Sequence, residues 1–289
     1  MIKERKMRIN WEKKLEEFEG YLRERENSAA TIEKYLRDIK TFRRYAEEEG
    51  GILNKNILLK YKEWLTENYR VSSANSMLVA MNQFLIFIGT GYLRVRRIKI
   101  QAQRFRDVDK EMKKEDFKML VSEARKCGRS QLAMLMETIC ATGIRVSELR
   151  FFQVESVKKG MVKVCNKGKY RIVLLPEKLR KKLLIYMAKN GIRTGMIFCT
   201  RSGKAKDRSN IWKEMKNLAR QSGICPEKVF PHNFRHLFAR VFYKTTGNLV
   251  HLADLLGHSS LEVTRIYTSD GINEWRKDLE KMNLIEIEI

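Results

Sequence analysis

The first proline of this 289-residue chain is Pro176, and only Pro226 and Pro231 follow it. Proline breaks a helix interior, so a chain this poor in it is free to run in long uninterrupted helices. The apolar spacing uses that freedom at once. Trp11, Leu15, Phe18 and Leu22 recur at helical intervals in WEKKLEEFEGYLRERE, and Ser28 is placed to cap a second helix. That helix sets Ile32, Tyr35, Leu36, Ile39, Phe42 and Tyr45 on one side and stops at Gly50 and Gly51. A third helix is expected from Asn54 or Asn56 and a fourth from Ser72 or Ser73, giving a small helical bundle over residues 1–93 behind a frayed basic tail at residues 1–9.

Residues 94–110, RVRRIKIQAQRFRDVDK, lack helical periodicity and glycine and read as a basic interdomain linker. A second domain, residues 111–289, opens with two helices, the second ending at Gly143, and continues into a short helical turn carrying Arg145 and Glu148. FQVESV, MVKVC and YRIVLLP offer two or three short strands. The last two form a hairpin around Asn166-Lys167-Gly168-Lys169, marked by alternation at Val162/Val164 and Ile172/Leu174, with Lys167 at its tip. More helices follow, and the terminal segment 271–289 offers Trp275, Leu279 and Met282 on one helix face before an alternating Ile/Glu end. The fold class is therefore mainly α with a small antiparallel β-sheet in the C-terminal domain, in two domains.

The charge is unevenly spread. Of a net +24, residues 1–93 carry 17 basic against 14 acidic side chains, residues 94–110 carry 7 against 2, and residues 111–289 carry 35 against 19. An excess concentrated in the linker and second half points to a polyanion, and nucleic acid fits better than a membrane surface because no lysine-rich stretch flanks an apolar anchor. No run approaches eighteen apolar residues and the N-terminus lacks a signal-peptide core, so a cytoplasmic protein is expected. The five scattered cysteines (Cys127, Cys140, Cys165, Cys199, Cys225) form no C-x-x-C pair and are expected reduced and mostly buried.

Pro231 to Tyr267 holds all four histidines of the chain. His232 and Arg235 are three apart on one helical face, where both can meet one anion. A second helix, LVHLADLL, stops at Gly257 and leaves His258 in a turn, and the pair Ser259/Glu262 is a capping box for a third helix leading to Tyr267. Each residue alone has an ordinary structural explanation: a histidine after a helix stop is a common cap, and a tyrosine in TRIYT is a common core residue. Jointly, Arg145, Lys167, His232, Arg235, His258 and Tyr267 supply what phosphodiester cleavage requires. Guanidiniums clamp non-bridging oxygens, a phenol attacks phosphorus, and lysine or histidine moves protons. No metal-ligand cluster stands out, and neither metal nor cofactor is expected.

The order ATGIRVSEL, NKGK, PHNFRH, LLGHSSLEVTRIYT resembles the tyrosine recombinases, the integrase family, in their compact Xer-type or mobile-element form, and the likeness spans nearly the whole chain. The resemblance implies that residues 1–93 are a SAM-like core-binding domain, 94–110 a linker and 111–289 the catalytic domain, closing as a clamp on double-stranded DNA. It implies Tyr267 as the nucleophile of a 3′-phosphotyrosyl link, Arg145 and Arg235 as holders of the scissile phosphate, Lys167 as general acid, His232 and His258 as helpers in proton transfer and phosphate contact, and Glu148 as the support of Arg145. It further implies short inverted-repeat sites, a homo-tetramer (or pairing with a related recombinase) exchanging strands through a Holliday junction, a segment 271–289 packed on a neighbour, and a nucleoid-associated location. Asn166 departs from the glycine common before the lysine, leaving the turn type open. Two other readings stay open from residues alone: a type IB topoisomerase-like relaxing enzyme, and a DNA-binding protein that does not cleave.

Overall fold

The computed structural model describes residues 7–99, 111–166, 168–258, 260, 261 and 264, and they fall into two compact units, Met1–Ala102 and Gln103–Ile289. The first unit is built on α1 (Trp11–Glu24), α2 (Ala29–Glu48), α3 (Lys55–Asn68) and α4 (Val71–Phe87). Ser28 and Asn54 cap α2 and α3 through their side-chain oxygens. Helix α4 begins at Val71 with no side-chain cap, slightly ahead of the serines expected to start it. Trp11, Leu15, Phe18 and Leu22 are all buried. Trp11 stacks on Phe84 at 5.7 Å between centroids, and Phe18 meets Phe84 edge-on at 5.2 Å.

Two segments of this unit differ from the sequence expectation. Met7 and Arg8 are not frayed: they form β1 (Met7–Arg8), paired antiparallel with β2 (Ile52–Leu53). Backbone pairing across sequence distance has no local signature in a two-residue strand. The expected linker also does not run free from Arg94. Asn82 clasps the backbone of Val95, donating to its carbonyl at 2.8 Å and accepting from its N–H at 3.1 Å, and Asn75 does the same to Ile98 at 3.0 and 2.7 Å. Val95 is 5% exposed and joins the core of the first unit, and Ile98 packs against that core, while Arg94, Arg96, Arg97 and Lys99 are exposed. Residues 100–110 lie outside the described residues.

The second unit is organised on α6 (Ser130–Thr142), whose Leu132 to Met136 and Ile139 are all buried; a helix apolar all round belongs in the middle of a domain. Around it pack α5 (Lys114–Lys126), α8 (Glu177–Lys189), α9 (Arg208–Gln221) and α10 (Pro231–Thr246). The hairpin is present as β3 (Met161–Asn166) and β4 (Lys169–Leu174), in register from Met161↔Leu174 to Asn166↔Lys169. Its inward face is the one the alternation suggested on β3 but not on β4. Val162, Val164 and Val173 are buried, whereas Ile172 and Leu174 are 53% and 59% exposed, which turns Arg171 inward beside Val173. FQVESV is no strand: Val154–Lys158 form α7, burying Val154 and Val157 at i and i+3, a pattern a short apolar run shares with β structure. The cysteines are free, but none is fully buried; Cys127 and Cys225 are exposed. Helix α11 (Leu249–Leu256) follows, and of the residues after it Gly257, His258, Ser260, Leu261 and Thr264 are described. Among the described residues no helix is long and apolar enough to cross a membrane.

Candidate active site

Gly143 ends α6 in the left-handed region at φ 65°, and Arg145 follows at the start of a short 3-10 helix, Val146–Phe151. A side chain at Gly143 would be impossible without movement, since an added Cβ would lie 2.4 Å from the Phe238 ring. Glu148, 1% exposed, accepts from the Arg145 backbone N–H at 2.8 Å and from the Arg145 guanidinium at 3.2 Å. Its main partner is a residue the sequence did not single out. Arg171 of β4 forks onto both carboxylate oxygens at 2.8 and 2.9 Å and donates from Nε to the Leu255 carbonyl at 3.3 Å. Burial would raise the Glu148 carboxyl, but the hydrogen bonds from Arg171 and the Arg145 backbone and both positive charges outweigh it and hold the group below its ordinary value. Once the structure turns the Val173 face inward, a cation at Arg171 requires a partner, but the sequence alone does not say which face of the strand that is.

Helix α10 starts with Pro231 at its first turn and carries His232 and Arg235. Arg235 is 1% exposed and donates to the Gly143 carbonyl at 2.5 Å, to the Leu256 carbonyl at 2.7 Å, and to Nε2 of His258 at 3.0 Å. A guanidinium only donates, so Nε2 of His258 accepts and the ring proton sits on Nδ1, facing Oγ1 of the buried Thr264 at 2.8 Å. Burial first, then the charges of Arg235, Arg145, Arg171 and His232, lower the His258 pKa to about 4. His232 packs edge-on against His236, centroids 4.6 Å apart. Though the residue reaches solvent, its ring is desolvated enough that burial, followed by Arg235 and Arg145, lowers its pKa too. Both imidazoles are therefore neutral near pH 7, and the arginines carry the positive charge. A cleft of about 540 Å³ beside His232 is lined by Val146, Arg208, Trp212 and Lys213 among others.

The structure thus brings Arg145, Glu148, His232, Arg235 and His258 together and adds Arg171 and Thr264. Lys167, Tyr267, the capping box Ser259/Glu262 and the segment 271–289 lie outside the described residues.

The second unit is mainly helical, with arginines and imidazoles converging between helix ends, and a helical bundle precedes it in the chain. Residues 110–273 match the phage integrase family and residues 15–88 its N-terminal SAM-like domain. The tyrosine recombinase XerA of Thermococcus kodakarensis is 30% identical over 94% of this chain and 96% of its own length, and XerD of Vibrio cholerae is 28% identical over 73% and 75%. Among solved structures, a lambda integrase tetramer bound to a Holliday junction superposes with a TM-score of 0.73 at 18% identity, covering 97% of this chain and 81% of that one. The XerH recombinase bound to its difH substrate before cleavage gives 0.64 at 18% identity, over 86% and 78%. The chain belongs to the phage integrase family and is a tyrosine site-specific recombinase.

Proposed function

We propose that this recombinase cuts and rejoins DNA with Tyr267 as nucleophile. The phenol oxygen attacks the scissile phosphorus, the bond to the 5′ oxygen breaks, and a 3′-phosphotyrosyl link forms. Lys167 gives its proton to the departing 5′ oxygen, and His232 receives the phenol proton, a role its lowered pKa leaves it unprotonated to perform. Arg145 and Arg235 hold the non-bridging oxygens, with His258 steadying Arg235. The observation that carries this reading is the convergence of both arginines: Arg235 bonds the carbonyl of Gly143, two residues from Arg145. A phosphoester of a phenol keeps the energy of the bond it replaced, so a second strand's 5′ hydroxyl can reverse the step without any energy source.

The wider assignment follows from the same reading. Residues 1–93 act as the core-binding domain, 94–110 as linker and 111–289 as catalytic domain, together clamping duplex DNA at short inverted-repeat sites. Four protomers, or this chain with a related recombinase, join two sites and pass through a Holliday junction; a lambda integrase tetramer is bound to such a junction in its solved structure. Segment 271–289 packs on a neighbour, and the protein works in the cytoplasm on the nucleoid. The test is a suicide duplex, nicked so that cleavage cannot be reversed. Wild-type protein should become covalently attached to the 3′ phosphate through Tyr267, and Tyr267→Phe should not. An adduct formed by Tyr267→Phe removes the assignment.

A further inference from the structure

We propose that Arg171 is a positioning residue that keeps the Arg145 guanidinium available for phosphate by acting as the counter-charge of Glu148. The inference rests on the reading of Arg145 as a phosphate-holding group. The buried Glu148 carboxylate needs a positive partner, and two guanidiniums compete for it. Arg171 makes the parallel two-bond fork at 2.8 and 2.9 Å, the stronger geometry for a carboxylate. Arg145 makes one longer side-chain contact at 3.2 Å. The exposures follow the same division: the Arg171 side chain is 14% exposed and that of Arg145 34%.

Arg171 is itself held for this task. Its Nε is tied to the Leu255 carbonyl, and its stem passes over Gly257, where an added Cβ would come within 2.6 Å of Cδ. Any side chain at 257 would displace it. Without Arg171, the cation closest to Glu148 is Arg145. The carboxylate would then draw that fork into the two-bond geometry, cancelling its charge and turning it from the substrate. Arg171 acts through Arg145 and need not touch DNA.

The test is single-turnover cleavage of two suicide duplexes, one with an ordinary scissile phosphate and one with a methylphosphonate there, which lacks the negative non-bridging oxygen that Arg145 would neutralise. On the phosphate, Arg171→Ala should slow cleavage by about a hundredfold, the scale of losing one preorganised donor, while DNA affinity stays within about threefold. On the methylphosphonate, both Arg145→Ala and Arg171→Ala should approach the wild-type rate. Adding Glu148→Gln to Arg171→Ala should raise the rate on phosphate, because the competing charge is gone. Arg171→Lys, retaining charge but not the fork, should fall between, and it carries the same comparison if Arg171→Ala does not fold. Recovery of Arg145→Ala but not of the Arg171 variants on methylphosphonate overturns the proposal and leaves Arg145 as a phosphate holder. Failure of Arg145→Ala to recover overturns that underlying reading, and the proposal with it.

Discussion

Gly143→Ala should damage both the catalytic unit and its site. The residue sits at φ 65°, where a side chain costs about 1 kcal/mol relative to glycine. The new methyl group would also lie 2.4 and 2.6 Å from two carbons of the Phe238 ring and 2.9 Å from Leu256 Cδ2. Overpacking of that kind costs about 1–3 kcal/mol, because the Phe238 ring must leave its rotamer or carry α10 away from the end of α6. The total is about 2–4 kcal/mol. Gly128→Ala supplies the control: φ is 69° there as well, but an added Cβ meets nothing within 4 Å, so only the conformational cost of about 1 kcal/mol applies. Urea denaturation of both variants, followed through the transition of the second unit, isolates the packing part as their difference. Cleavage measured well below the midpoint should also fall in Gly143→Ala alone, because its carbonyl holds Arg235. Equal stability of the two variants would refute the argument.

His258 carries a pH dependence with a defined sign. Its folded pKa of about 4 lies below the ordinary 6.5, so between these values the unfolded chain binds more protons and stability falls as pH is lowered. Because the ring is only partly buried, the loss is about 1–2 kcal/mol after discounting for solvent screening. His258→Asn should therefore flatten the fall in melting temperature between pH 6.5 and 4, and an unchanged slope would contradict the assignment. Arg235→Lys should lower stability by about 2 kcal/mol, since one ammonium cannot reproduce a fork spanning the Gly143 and Leu256 carbonyls. Arg145→Lys, a third exposed, should instead leave the melt nearly unchanged while cleavage slows by about a hundredfold; the opposite pattern would reverse the two roles.

What was legible in the sequence was local. His232 and Arg235 share a helix face whatever surrounds them, and Gly143 and Gly257 stop their helices because each occupies the left-handed region at a C-terminus. Glu148 three residues beyond Arg145 was readable for the same reason. Arg171 was not, because a strand's two faces are exchanged by a one-residue change of register, and nothing local says whether Ile172 or Val173 turns inward. The clasp of residues 94–99 escaped for a related reason. Asn75 and Asn82 are ordinary polar residues on α4 until a distant extended segment supplies the backbone groups they bond. Val154 and Val157 fit one short helical turn as well as a strand, and only burial of both on α7 decides between them.

The glycine stops do more than end helices. The last carbonyls of an α-helix have no partner within it and carry its negative end, so each C-terminus is a place where a cation is held. Arg235 bridges two such ends, bonding Gly143 after α6 and Leu256 at the end of α11, and Arg171 takes Leu255 from the same turn as Leu256. The groups that would otherwise be orphaned by Gly143 and Gly257 thus become the acceptors that fix the buried guanidiniums. Arg145 is the exception, tied to a carboxylate rather than to a helix end, and it is also the most exposed of the three arginines. The three guanidiniums are thus fixed to different degrees: Arg171 by a carboxylate fork and a helix end, Arg235 by two helix ends, and Arg145 by Glu148 alone among these contacts.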